Sequence, residues 1–104
     1  MTYKETIMAR HDNVEIPPAV WTQLTNANAS SIRVQSVSGS EMMLQATNGT
    51  TAPTTQVGTI VLGGGNVLAA DMTIAQLWPG VDGANRVWAF ANTASVASVS
   101  HADA

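Results

Sequence analysis

The sequence predicts an all-β fold, a small antiparallel β-sandwich of about seven to eight strands with at most one short helix, near residues 73–78. Two observations lead to this class. Short runs of alternating or β-branched residues recur along the chain, and Gly, Pro and Asn residues separate them at nearly regular intervals. The chain has 104 residues, which suits one compact domain. We predict an N-terminal arm or edge strand at residues 1–12 and a single sandwich domain at residues 13–104.

The first third of the chain contains three candidate strands. Residues 3–9 mix polar and apolar side chains and predict an edge strand or an arm. Pro17 and Pro18 then interrupt the chain, because neither residue can donate a hydrogen bond to a neighbouring strand. Residues 20–25 alternate and are rich in β-branched side chains, so they predict a strand. Residues 32–35 alternate more regularly and predict the next strand.

The alternation also predicts which side chains face the core. Ile32 and Val34 should point inward, with Arg33 and Gln35 outward. In the strand that follows, Met42, Leu44 and Ala46 share one face, so the sequence predicts the same for them. Gly39 lies between the two strands, and we predict a hairpin through residues 36–40.

The second half of the chain predicts further strands and the short helix. Residues 47–55 predict an exposed loop, and residues 57–62 predict a strand in which Gly58 is a candidate bulge. Thr73 and Gln76 have the spacing of a capping box, and Pro79 ends the helix. The last two predicted strands span residues 86–91 and residues 94–100.

Charge and composition exclude several function classes. Only 11% of the residues are charged, and the formal net charge is −3. The four cationic residues are scattered along the chain, whereas nucleic-acid binding needs clustered Lys and Arg, so we predict no nucleic-acid partner. No apolar run approaches the roughly 20 residues of a membrane span, and the first ten residues lack the apolar region of a signal peptide. Low charge favours either a surface that packs against a partner or a neutral soluble domain.

Motifs for catalysis and for cofactor or metal binding are weak. Gly63–Gly65 follows a predicted strand but lacks the Lys-Ser/Thr pair of a phosphate-binding loop. His11 and His101 have Asp12 and Asp103 nearby, but both pairs lie near the chain ends, where we expect exposed segments. Residues 82–85 resemble half of a calcium loop without its distal glutamate. We therefore predict that the protein is not an enzyme, with no catalytic, cofactor-binding or metal-binding residues.

The three tryptophans are more informative. Trp88 and Trp78 are expected in the core or at its rim. In the strand at residues 20–25, Val20 and Leu24 alternate with Trp21, which places Trp21 on a mostly polar face. Trp21 therefore either fills the core or anchors an interface, and both readings remain open.

The strand pattern as a whole resembles a known group of proteins. The patterns at residues 14–16, 20–25 and 32–35, followed by Met42-Met43-Leu44-Gln45, and the ending at residues 86–100 are similar to those of small virion structural proteins of tailed bacteriophages. The resemblance covers residues 13–101 and rests on strand rhythm and the two Trp-containing strands. No residue roles carry over from it.

The resemblance implies a β-sandwich that binds the major capsid protein or other virion proteins. A capsid decoration (cement) protein at the capsid surface, assembled in the host cytoplasm, is the first expectation; a homo-oligomer is left open. The interface candidates are Tyr3, Ile7, Trp21 and Trp78. The alternative is a carbohydrate- or receptor-binding module of a tail or fibre, which would use Trp21 or Trp78 as a sugar platform.

Overall fold

A computed structural model of the chain describes residues 9–39 and 41–102, and these residues form eight strands and one short helix. The bounds are β1 Arg10–Ile16, β2 Thr22–Gln23, β3 Arg33–Ser38, β4 Met42–Thr47, β5 Ile60–Leu62, β6 Val67–Leu68, α1 Ile74–Leu77, β7 Arg86–Phe90 and β8 Ser95–His101. The strands make two antiparallel four-stranded sheets. The predicted all-β class with one short helix is confirmed.

The two sheets differ in which strands form their edges. The A sheet has the order β1-β8-β3-β6, and the B sheet has the order β2-β7-β4-β5. In the A sheet, β8 pairs with all of β1, from Arg10 opposite His101 to Ile16 opposite Ser95. In the B sheet, β4 and β7 form the central pair, with Leu44 opposite Ala89.

The core lies between the inner faces of the two sheets. Val34, Ala97 and Val99 come from the A sheet, and Leu44 and Val87 from the B sheet; all five are fully buried. The predicted inward positions are confirmed, because every member of the predicted set is buried: Ile32, Val34, Met42, Leu44 and Ala46. The period-two alternation therefore predicted correctly which face of each strand is buried.

The predicted hairpin between residues 32–35 and the Met42 strand is wrong. The first segment leads into β3 in the A sheet, whereas β4 belongs to the B sheet, so the chain crosses from one sheet to the other at Gly39. Instead, β3 pairs with β8 and β6, and β4 pairs with β7 and β5. Two successive strands can each bury an apolar face by lying in different sheets, and here the inner residues of β3 and β4 enter the same core.

Two other predicted strands are shorter than expected. In the segment 20–25 only Thr22–Gln23 forms a strand, although single hydrogen bonds extend the contact with β7, from Leu24 N to the Val87 carbonyl at 2.9 Å and from Ala19 N to the Ala91 carbonyl at 2.7 Å. In the segment 57–62 only Ile60–Leu62 is paired, and Gly58 lies in a turn with φ +79° rather than in a bulge.

Residues 10–12 of the predicted arm or edge strand belong to β1, an edge strand of the A sheet that pairs with β8 from Arg10 and continues to Ile16. Tyr3 and Ile7 lie outside the described residues. Within the described part of the chain, no helix is long and apolar enough to cross a membrane.

The short helix α1 begins with the predicted capping box. The Thr73 hydroxyl accepts from the Gln76 amide at 3.1 Å, and the Gln76 side chain accepts from the Thr73 amide at 2.8 Å. The helix places Ile74 in the core, where it is fully buried, and its backbone amide donates to the Ser30 carbonyl at 2.7 Å.

Thr73→Ala is expected to lower the free energy of unfolding by about 1 kcal/mol, because the Gln76 amide loses its acceptor at the start of the helix. Thr73→Ser keeps the hydroxyl and serves as the control. Chemical denaturation followed by circular dichroism measures both. Equal losses in the two variants would show that the hydroxyl does not act as the cap.

Candidate functional site

A row of four apolar side chains crosses the outer face of the B sheet. Met43 in β4 lies opposite Phe90 in β7 and also opposite Val61 in β5. The ring of Trp21 lies beside the ring of Phe90, with the centroids 5.3 Å apart and the planes inclined by 52°. We call Trp21, Phe90, Met43 and Val61 the apolar row. Its members are half-buried except Val61, which is 56% exposed.

Strand alternation puts these side chains on the outer face. In β4, Met42 and Leu44 point into the core, so Met43 between them points outward. In β7, Val87 and Ala89 are core residues, so Phe90 points outward in the same way. Trp21 directly precedes the Thr22 that pairs with Ala89, and this register brings Trp21 beside Phe90.

The next row on this face contains Trp88 between two glutamines. Trp88 lies opposite both Gln23 and Gln45, and it is 7% exposed although it is not part of the core cluster between the sheets. Its indole Nε1 donates to the Thr47 hydroxyl at 2.8 Å. Both glutamines use their amides within the fold: Gln23 donates to the Thr25 carbonyl, and Gln45 donates to the Val57 carbonyl at 2.6 Å and accepts from the Ala46 amide at 3.1 Å.

The face carries little charge. Arg86, which lies opposite Thr47, is the one charged residue at the outward positions of strands β4, β5 and β7. Its Nε donates to Asn28 Oδ1 at 3.1 Å. The face therefore combines an apolar row with neutral polar side chains whose hydrogen bonds are made inside the protein.

The outer face of the A sheet has a different chemistry. One cross-strand row places Ser100 between His11 and Arg33, and the next places Ser98 between Asn13 and Gln35. Within the first row, His11 Nδ1 and Ser100 Oγ share a hydrogen bond of 3.0 Å, and Arg33 Nη2 joins the two rows by donating to Ser98 Oγ at 3.3 Å. Apart from Val67, which lies opposite Gln35, these rows are polar. Of the two outer faces, only that of the B sheet presents a continuous apolar row across its described strands.

Two of the predicted interface residues, Trp21 and Trp78, lie in the described part of the chain, and their surroundings differ. Trp21 belongs to the apolar row. Trp78 is only 4% exposed, and its indole Nε1 donates to the Gly58 carbonyl at 3.2 Å, so it lies in the core at the edge of a cleft of about 320 Å³. A sugar platform needs an exposed ring face, which Trp78 does not offer. Phe90, Met43 and Val61 were not singled out from the sequence, although their outward positions follow from the alternation of their strands.

His11 and Asp12, the local pair that the described residues include, lie on opposite faces of β1. His11 bonds to Ser100 on the outer face, whereas Asp12 lies 3.5 Å from Arg10 Nε, on the other side of the same strand. His101 was expected to be exposed near the chain end, and that expectation is wrong: as the last residue of β8 it is 6% exposed. Asp103 lies outside the described residues. Within residues 9–39 and 41–102, no group of three or more His, Asp or Glu residues is placed to hold a metal ion.

The two loop motifs considered for ligand binding serve as turns. Asn66 N donates to the Gly63 carbonyl at 3.0 Å, which closes the glycine-rich turn between β5 and β6. In the segment 82–85, the Asp82 carbonyl accepts from the Asn48 side chain at 3.3 Å, and Asn85 Oδ1 accepts from the Gly49 amide at 2.9 Å. These bonds join two loops at one end of the sandwich.

No protein-family model, curated protein or solved structure matches this chain. The candidate functional site is the outer face of the B sheet, because this face carries the apolar row.

Proposed function

We propose that the protein is a non-enzymatic virion structural protein of a tailed phage, and that it decorates and stabilises the capsid by binding the major capsid protein lattice through the outer face of the B sheet. The observation that carries the binding role is the apolar row, which runs from Val61 in β5 across β4 and β7 to Trp21, the residue directly before β2. The phage assignment comes from the resemblance of the strand pattern.

The composition of the face supports protein binding. Interface centres are enriched in aromatic residues and Met and depleted in charged residues, and the apolar row contains Trp21, Phe90 and Met43. Contiguous apolar surface on an otherwise polar small domain is typical of a docking surface. With 11% charged residues in the whole chain, the protein also has little charge to desolvate when it packs against a shell.

Carbohydrate binding is the second candidate, because Trp21, Phe90 and Trp88 lie on one sheet face. Two observations make it less favourable. The Trp21 and Phe90 planes are inclined by 52°, so they do not make a flat platform. The amides of Gln23 and Gln45, which would bind sugar hydroxyls, already donate to backbone carbonyls.

Val61→Asp is expected to weaken binding to phage heads that lack this protein by about tenfold to 100-fold, because the carboxylate would lose its water without gaining a partner. Val67→Asp is the matched control: Val67 is 51% exposed, also lies in an edge strand, and belongs to the A sheet. Sedimentation of heads with increasing amounts of each variant measures the affinities, and circular dichroism verifies that both variants are folded.

Equal binding by wild type, Val61→Asp and Val67→Asp would contradict the assignment of the B-sheet face. If the wild type does not bind heads but binds a defined glycan on an array, with Trp21→Ala abolishing the signal, the carbohydrate-binding function replaces the proposal.

A further inference from the structure

Four strands form sheet edges in the described part of the chain, and only one of them is long. β2 and β6 have two residues each and β5 has three, whereas β1 has seven. β1 pairs with β8 along its whole length without a register shift, and no described strand lies on its other side. Alternate residues of such a strand direct their backbone N–H and C=O groups to the open edge.

A long edge strand of this kind can pair with another chain unless its sequence prevents the pairing. β1 contains no proline or lysine and has no bulge, and these are common protective features. Its charged residues are the remaining possibility for protection, and their order along the strand decides whether they repel or attract a second β1.

We propose that two copies of this protein associate through their β1 edges, antiparallel about a two-fold axis at Asn13. In this register His11 of each copy lies opposite Glu15 of the other, so the two-fold axis creates two His–Glu pairs. All seven residues of β1 find a partner. No two residues of like charge are opposed.

Alternative registers are less complementary. A shift of two residues toward the start of the strand would place the two Asp12 carboxylates directly opposite each other. A shift of two residues in the other direction would shorten the pairing and leave His11 without Glu15. Shifts of one residue would join the inner face of one A sheet to the outer face of the other. The sequence of β1 therefore selects the register centred on Asn13.

The positions of the side chains in the fold agree with this register. Residues opposite each other in a sheet point to the same face, and His11 and Glu15 both lie on the exposed outer face of the A sheet. The hydrogen bond between His11 Nδ1 and Ser100 Oγ, at 3.0 Å, orients the ring and leaves Nε2 as the ring nitrogen that a carboxylate of the second copy would meet.

The dimer would contain one continuous eight-stranded sheet made from two A sheets. Both B sheets would lie on the same side of this continuous sheet, so the dimer presents two apolar rows that face in the same direction. Two binding faces on one particle increase avidity for a repeating surface. The pairing itself rests on β1 alone and does not depend on the identity of the surface that the B sheets bind.

Sedimentation velocity of the purified chain, in a concentration series reaching about 1 mM, tests the proposal over the range of weak association. The expected result is a concentration-dependent monomer–dimer equilibrium. His11→Glu is expected to raise the dissociation constant about tenfold, because it places two Glu–Glu pairs across the axis where two His–Glu pairs stood. Glu15→Lys should weaken the dimer in the same direction.

The charge-swapped double variant, His11→Glu with Glu15→Lys, is the matched control. It places two Glu–Lys pairs across the axis and should return the dissociation constant to within about threefold of the wild type. Circular dichroism establishes that each variant is folded. A wild type that stays monomeric throughout the series overturns the proposal, and so does a double variant that remains as weak as the single variants. Head binding by a monomeric protein would leave the proposed function standing while this inference fails.

Discussion

Gly39→Ala is expected to lower the free energy of unfolding by about 3 kcal/mol or more, from backbone strain and overlap together. Gly39 has φ +93°, a backbone conformation that an alanine rarely adopts. A Cβ at this position would overlap the Ser95 hydroxyl and lie 2.9 Å from both the Ala94 carbonyl oxygen and Ser95 Cα. Ser95 begins β8 and is 4% exposed, so the backbone has little room to move away.

Two other glycines separate the causes of this loss. Gly49 has φ +92° but no atom near its Cβ position, so Gly49→Ala should cost only the strain of the backbone, about 1–2 kcal/mol. Gly80 has open space and an ordinary φ, so Gly80→Ala should change stability by less than about 0.5 kcal/mol. Urea denaturation curves give all three values. A loss for Gly39→Ala no larger than that for Gly49→Ala would contradict the close approach of the crossing to β8.

Leu44→Ala is expected to lower the free energy of unfolding by about 3 kcal/mol, because it removes a fully buried side chain from the layer between the sheets and leaves a cavity. Its neighbour Met43 lies on the outer face, so Met43→Ala should lower stability by about 1 kcal/mol or less. The smaller effect of Met43→Ala on stability should be accompanied by an effect on head binding, because Met43 belongs to the apolar row. Met43→Ala should weaken head binding while the fold is intact.

Urea denaturation and head sedimentation, applied to both variants, check this pair of expectations. Similar losses of stability in the two variants would mean that Met43 is not an outward residue. Unchanged head binding by Met43→Ala would show that Met43 does not contact the shell. Binding would then be left to Trp21, Phe90 and Val61.

The sequence predicted the buried faces well and the strand partners poorly. Alternation at Ile32–Gln35 and at Met42–Ala46 depends on local geometry, since neighbouring side chains of any strand point to opposite faces. At Gly39 the chain instead crosses to the other sheet and lies against Ala94 and Ser95 at the start of β8, a contact that residues 32–47 alone do not reveal.

The candidate site was likewise predictable where it depends on local alternation and not where it depends on strand pairing. Trp21 was recognised as a candidate because its own strand places it among polar neighbours. Phe90, Met43 and Val61 become a row with Trp21 only through the order β2-β7-β4-β5, which joins segments from both ends of the chain. Trp78 lies in the core, as its position beside the capped helix predicted, and the Gly58 carbonyl accepts from its indole there, so it is a poor interface candidate.

Cryo-electron microscopy of heads saturated with the protein tests the central claim most directly, because it shows both the occupancy and the orientation of the sandwich. The proposal predicts density at symmetry-related positions of the lattice, with the outer face of the B sheet, from Trp21 to Val61, against the shell. Heads without added density, or a sandwich that contacts the shell through the polar rows of the A sheet, would contradict it.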